Sequence, residues 1–290
     1  VEDFEYLPLE GLFSIQQKDY SGANVFDAIS LAEEKISSSP KGRTKILASL
    51  LYLIRIMKDA GLPFYVKGGV TLHYYLKQNA RPTRDLDILI REDPEAFLLR
   101  LEKAFASQSG GLALKIGRFS KKEADASYYF DTFSIPILFS HEGEVVDTLY
   151  IDGVSSPIYD KIAPKEYPLP AVVGGSSFLG VPLEFSLADK INAITNELKR
   201  PYKHLVDAYS ILQQDIDISL VKKYLAIIAE SDDEARHKLH LDIPKKPYVI
   251  LDDKPFVSSY VFPAIQAGYA MSLKEMKAAV NRWLKDNLGE

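Results

Sequence analysis

The sequence predicts an α+β fold, and three features of its order carry that expectation. A strand–helix–strand–helix unit occupies the middle of the chain, three strands follow it as a meander, and a run of helices closes the sequence. At 290 residues the chain is long enough for one large domain or two ordinary ones, each with a core of its own. Hydrophobic residues make up 47% and charged residues 26%, the balance of a globular protein.

The elements follow in order. Residues 1–61 read as helical. Asn24 caps a helix over 24–36, residues 37–42 (SSSPKG) form a loop, and Ile46, Leu50, Leu53, Ile54 and Met57 recur at helical spacing over 43–60. Gly61, with Pro63 two residues on, stops that helix. Phe64-Tyr65-Val66 is a short strand that runs into Lys67-Gly68-Gly69, and a helix restarts over 70–76. Residues 85–90 (DLDILI) alternate as a strand, and 94–105 read as helix. Strands are expected over 112–119, 128–139 and 144–151, the last two as a hairpin across His141-Glu142-Gly143. The Pro- and Gly-rich stretch 152–182 reads as a long connection with room for one edge hairpin. Helices follow over 186–199, 203–213, 219–230 and 273–288, and the Pro-rich segment 241–255 reads as a loop. The expected division is therefore 1–182, with the strands and the N-terminal helices, and 183–290, a helical domain.

Composition excludes several chemistries. The chain has no cysteine, so disulfides, thiolate zinc sites and cysteine nucleophiles are ruled out. No apolar run approaches the roughly 18–20 residues that span a bilayer, so no membrane association is expected. The first residues (VEDFEYLPLEG) are acidic and lack the pattern of a secretory signal. A net charge of −5 gives no support to broad nucleic-acid binding, although a local basic patch needs only a few residues.

The informative segment is Lys67-Gly68-Gly69 followed by Arg81-Pro82-Thr83-Arg84-Asp85-Leu86-Asp87. Two glycines between a strand and a helix allow a tight turn and a close backbone approach to a ligand. The helix that follows presents free N–H groups and a positive dipole end, which suit a triphosphate. Asp85 and Asp87 lie two apart on a strand and so project from one face. Two adjacent carboxylates call for a cation, and magnesium, an oxygen-liganded ion that keeps substrate phosphates in its shell, is the natural occupant. A third carboxylate from a neighbouring strand would complete a two-metal clamp. Asp147 is the choice and Asp152, at the expected strand end beside Gly153, the reserve. An acceptor hydroxyl would then attack the α-phosphate of an NTP and expel pyrophosphate.

Lys67-Gly68-Gly69 and Arg81-x-Thr83-x-Asp85-Leu86-Asp87 resemble the first motif of the AbiEii/AbiGii-type nucleotidyltransferases, within the DNA polymerase β-like superfamily. These are toxins of type IV toxin–antitoxin and abortive-infection systems. In that family a later helix carries an acidic-Lys pair, which Asp189-Lys190 matches. A Lys/Arg-Asp-x-x-Asp stretch follows, which Lys203-His204-Leu205-Val206-Asp207 resembles with Asp207 as its final Asp. His204 stands where the family usually has the first Asp. The resemblance covers about residues 64–212.

The resemblance implies a nucleotidyltransferase-like mixed sheet with flanking helices and an active site in the cleft before the helical domain. Asp85, Asp87 and Asp147 would hold magnesium. Lys67, Gly68, Gly69, Arg81 and Thr83 would contact the nucleotide, and Lys190 and Asp207 would serve in catalysis. It implies NMP transfer to RNA such as the 3′ end of tRNA, arrest of growth, and a bacterial cytoplasmic setting. It also implies a cognate antitoxin that acts without a stable complex.

Two other readings stay open: nucleotide transfer to a small molecule such as an aminoglycoside, and nucleotide binding without transfer. Other features are weaker. His237 and His240 have one possible metal spacing, but a solvated helix face explains them better; His73 reads as a packing or capping residue. Lys199, Arg200, Lys203, Lys222 and Lys223 are candidates for one basic patch on the helical half.

Overall fold

The computed structural model describes residues 8–14, 43–106, 112–124, 130–141, 144–196, 202–238 and 272–288. The expected helix over 24–36, the loops 37–42 and 241–255, Lys199, Arg200 and His240 lie outside these described residues.

Helix α1 (Pro8–Ser14) and helix α2 (Arg43–Asp59) precede the sheet. Strand β1 (Tyr65–Lys67) leads through Gly68 into α3 (Gly69–Leu76), and β2 (Asp85–Ile90) leads into α4 (Pro94–Ala106). Asp93 caps α4: its Oδ1 accepts from the backbone N–H groups of Glu95 and Ala96 at 3.0 and 3.1 Å. Strands β3 (Leu112–Ile116), β4 (Ser120–Lys122), β5 (Asp131–His141) and β6 (Glu144–Ser155) follow, then the edge hairpin β7 (Lys165–Pro168) and β8 (Ser177–Gly180). The expected long connection over 152–182 therefore contains the end of β6 and that hairpin.

These strands form one mixed sheet in the order β3-β5-β6-β2-β1-β8-β7, with β4 paired to β5. The β2–β6 and β1–β8 pairs are parallel and the others antiparallel. One face is closed by α1, α2 and α4: Leu12, Leu50, Ile54, Phe97 and Leu101 pack with Leu86, Ile88, Ile90, Phe133 and Ile135. Alternation along β2 sends Asp85, Asp87 and Leu89 to the other face.

On that face Leu89 joins a second core built from α5 (Leu183–Asn196), α6 (Tyr202–Ile211), α7 (Ile218–Lys238) and α8 (Leu273–Leu288). Leu72 and Leu76 of α3 enter the same core, whereas Val70 enters the first. Helix α3 is thus wedged between the two cores, and the turn before it is held from both sides. Asp217 caps α7, and that helix runs on to Lys238, past the expected stop at 230, because Ser231 and Asp232 are buried in packing. Among the described residues no helix is long and apolar enough to cross a membrane.

The clearest departure concerns β6. Gly153 reads as the end of a strand, yet β6 continues to Ser155. Phe133, opposite Gly153 on β5, lays its ring where a Cβ would stand. The glycine is the space that an aromatic residue needs to cross the neighbouring strand. Gly153→Ala is therefore expected to destabilise the protein by about 1–3 kcal/mol through overpacking. Combining it with Phe133→Leu should cost less than the sum of the two single changes, which urea denaturation of all three variants measures.

Candidate active site

Register builds the site. Lys67 on β1 lies opposite Asp87 on β2, Asp87 opposite Asp152 on β6, Asp152 opposite Ser134 on β5, and Ser134 opposite Ser120 on β4. Directly opposed residues share a face, so these five side chains stand in one row across the sheet. Asp85, two residues before Asp87, adds a third carboxylate to that face.

This corrects the expectation for the third carboxylate. Asp147 pairs with Phe139, and β2 stops at Asp85 opposite Tyr150, so Asp147 has no partner on β2. It precedes Asp152 by five residues, roughly 16 Å along a strand and, the offset being odd, on the other face. Its Oδ1 instead accepts from the backbone N–H of Thr148 at 2.8 Å. The strand end expected at residue 151 is what favoured Asp147. A faint signal pointed to Asp152: Ile151-Asp152 repeats the aliphatic-Asp order of Leu86-Asp87, its in-register neighbours.

The carboxylates strain against one another. Burial, then the charges of Asp152 and Asp87, raises the carboxyl of Asp85 above its usual range, with Lys203 and Arg81 opposing. Burial raises Asp152 as well; a hydrogen bond from Ser134 opposes that shift, and Asp87 reinforces it. A divalent cation with oxygen ligands would relieve this repulsion, and the donor set fits magnesium. Among the described residues, no three His, Asp or Glu side chains are gathered closely enough to hold a metal unaided.

The glycine turn touches the row directly. Gly68 has φ 69° and ψ −143°, a conformation open to glycine, and a Cβ there would overlap the Asp87 carboxylate. Gly69 opens α3 under Thr83, whose Cβ lies 2.6 Å from where a Gly69 Cβ would be. The Thr83 hydroxyl donates to the Asp85 carbonyl at 3.1 Å, so Thr83 shapes the turn into β2.

Cations surround the row, each held by an acid. Lys67 Nζ lies 3.5 Å from Asp189 Oδ2. Burial would raise the Asp189 carboxyl, but Lys67 and then Lys190 hold it below its usual value. Arg81 makes a two-pronged contact with buried Asp207: Nε donates to Oδ1 at 2.8 Å and Nη2 to Oδ2 at 3.0 Å. Buried Lys190 reaches the same carboxylate at 3.9 Å. Asp207 is therefore the anchor of a long-range ion network, and Arg81 is committed to it.

Sequence reasoning did not assign Asp189, Ser134 or His204 to the site; no local pattern marks Ser134, whose position is set by pairing alone. His204 is half-buried, its Nδ1 without a hydrogen-bond partner. Burial, then Lys190, Lys203, Arg81 and Lys67, keeps it neutral. His73 is buried beside the Arg81–Asp207 pair. Lys203 is exposed on α6, and His237 is exposed on α7.

A family model described as "Nucleotidyl transferase AbiEii toxin, Type IV TA system" matches residues 52–287. No curated protein matches the chain. Among solved structures, the chain is similar to an antigenic nucleotidyltransferase-like protein from Paracoccidioides brasiliensis, with 15% identity and a TM-score of 0.41 over 69% of this chain and 94% of that one.

Two outcomes test the buried charges. Asp207→Asn strands Arg81 and Lys190 without their counter-charge and is expected to cost about 3–5 kcal/mol of stability in urea titrations. His73 titrates at about 4 in the folded protein, lowered by burial and by Arg81 against the pull of Asp207, from 6.5 when unfolded. Its contribution is complete above pH 6.5 and is lost as pH falls toward 4, because only the unfolded chain then takes up the proton. Between pH 7.5 and 5, His73→Leu should lose about 2 kcal/mol less stability than the native protein.

Proposed function

Since the chain belongs to the AbiEii family of nucleotidyl transferase toxins of type IV toxin–antitoxin systems, and is therefore a nucleotidyltransferase with an NTP substrate and an antitoxin partner, we propose that it transfers a nucleoside monophosphate to the 3′ hydroxyl of tRNA and so arrests growth. The observation that carries this reading is the register of Asp87 against Asp152, with Asp85 beside them and the Gly68-Gly69 turn at their edge.

In this reading the α3 N-terminus, Lys67 and Lys190 hold the triphosphate, their positive charge facing its phosphates. The acceptor oxygen attacks the α-phosphorus, the bond to the bridging oxygen breaks, and pyrophosphate leaves with the bonding electrons. Asp152 takes the hydroxyl proton; a carboxyl raised by burial and by Asp87 is the better base of the set. Magnesium, held by Asp85, Asp87 and Asp152, would supply charge neutralisation at the reacting phosphate. Arg81 and Asp207 act as positioning residues: their ion pair fixes the segment before β2 and the height of Lys190.

We further place the functional division at 182/183. Residues 1–182 supply the carboxylates and the glycine turn, and 183–290 supply Lys190 and Asp207. The setting we propose is the bacterial cytoplasm, with an antitoxin that counteracts the toxin without a stable complex.

The test is incubation with each α-labelled NTP, magnesium and total bacterial RNA. Label is expected in tRNA with the native protein. Asp87→Asn and Asp152→Asn should each lower transfer by roughly a thousandfold, a loss of several kcal/mol of transition-state stabilisation. Asp147→Asn should stay within about twofold of the native rate, and equal losses at 147 and 152 would refute the site. Label in a small molecule instead of RNA would move the acceptor to the aminoglycoside class.

A further inference from the structure

The structure has a cavity of about 370 Å³ that opens beside the carboxylates on their β5–β4 side. Asp87, Asp152, Ser134, Thr132, Ser120 and Lys122 are among the residues that line it. Its size lies within the range of about 300–1,000 Å³ typical of small-ligand sites. We propose that this groove seats the 3′-terminal nucleotides of the acceptor RNA, with Lys122 on a backbone phosphate and the hydroxyls of Ser120 and Thr132 on ribose or phosphate oxygens. The inference rests on the RNA-acceptor reading above and locates the acceptor within it.

The geometry of substitution at phosphorus carries the assignment. An in-line displacement puts the attacking and leaving oxygens on opposite sides of the α-phosphate. The groups suited to a triphosphate all lie on one side of Asp87: Lys67 on β1, the α3 N-terminus after Gly68, and Lys190 on α5. Pyrophosphate therefore departs toward β1 and α3. The attacking hydroxyl must approach from the far side, across Asp152 and toward β5 and β4.

The groove has the chemistry for that approach. Ser134 hydrogen-bonds Asp152, which aims the carboxylate toward the incoming hydroxyl. Beyond it, Ser120 faces Ser134 and Lys122 faces Thr132, so three hydroxyls and one ammonium line a short channel. The short strand β4 is held firmly for its length. Lys121, which alternation turns to the other face, binds Glu95 at 2.9 Å, Asp93 at 3.5 Å and Asp131 at 3.6 Å. That fastens β4 to the start of α4 and keeps Lys122 over the groove. None of these β4 and β5 residues belongs to the motifs that mark the nucleotide side.

The test uses the full chain and a fluorescent single-stranded RNA ending in a 3′ hydroxyl, with binding and transfer measured separately. Lys122→Glu should raise the KM for RNA at least tenfold and leave NTP affinity within about twofold. Lys122→Ala should reduce the slope of log K against log salt by about 0.7, the loss of one single-strand phosphate contact. Lys122→Arg should restore both, and unchanged thermal melting checks that β4 still folds. A KM for RNA and a salt slope that ignore Lys122 would overturn the proposal. So would a rise confined to the KM for NTP, since the groove would then hold the nucleotide. Lys122-dependent RNA binding without transfer would uphold the groove while sinking the transfer reading. Absence of RNA binding by the native protein would sink the groove itself.

Discussion

Like charges held side by side are the constraint around which this molecule is arranged. Three carboxylates share one face of the sheet, and two of them lie directly opposite each other on parallel strands. Such a row survives folding when cations and hydrogen bonds offset its repulsion. Lys203 and Arg81 lend their field to Asp85, and Ser134 hydrogen-bonds Asp152. The cations would in turn be costly to bury alone, and Asp189 and Asp207 balance them. The residual repulsion, visible in the raised carboxyls of Asp85 and Asp152, is what a metal–nucleotide complex would discharge. A folded state that stores unfavourable charge has bound part of its ligand's affinity in advance.

The ion network also explains why the helical half belongs to the site. Asp207 sits on α6, Lys190 on α5 and Arg81 in the segment ahead of β2, yet one buried carboxylate joins all three. The second core closes against the same face of the sheet that bears the acids. Packing that buries Leu89, Leu72 and Leu76 thereby sets the height of Lys190 above the carboxylates. Stability and phosphate binding are consequently coupled through a few side chains, and α3, with residues in both cores, transmits the coupling to the glycine turn.

Much of the site was legible because its chemistry is local. Gly68-Gly69 needs a backbone conformation that glycine adopts freely, and Asp85 and Asp87 share a face through simple alternation. Asp152 was less legible, since Gly153 beside it looks like a strand end. Only the ring of Phe133, twenty residues earlier in sequence, shows that the glycine makes room within the sheet. Arg81 carried the opposite lesson. A lone arginine near two aspartates suggests phosphate or aspartate contact, whereas its true partner lies 126 residues away.

The sequence by itself determined the alternation of β2, the turn before α3, the amphipathic helices and the absence of cysteine chemistry. Each follows from neighbours within a few residues, where steric and solvation preferences act without the rest of the chain. Tertiary structure alone decided which strand lies beside β2 and in what register. It thereby chose Asp152 over Asp147, gave Asp207 to Arg81 and Lys190, and opened the groove between β6 and β4. Those choices are made by side chains distant in sequence competing for the same buried space and the same charges, and no local pattern records the outcome of that competition.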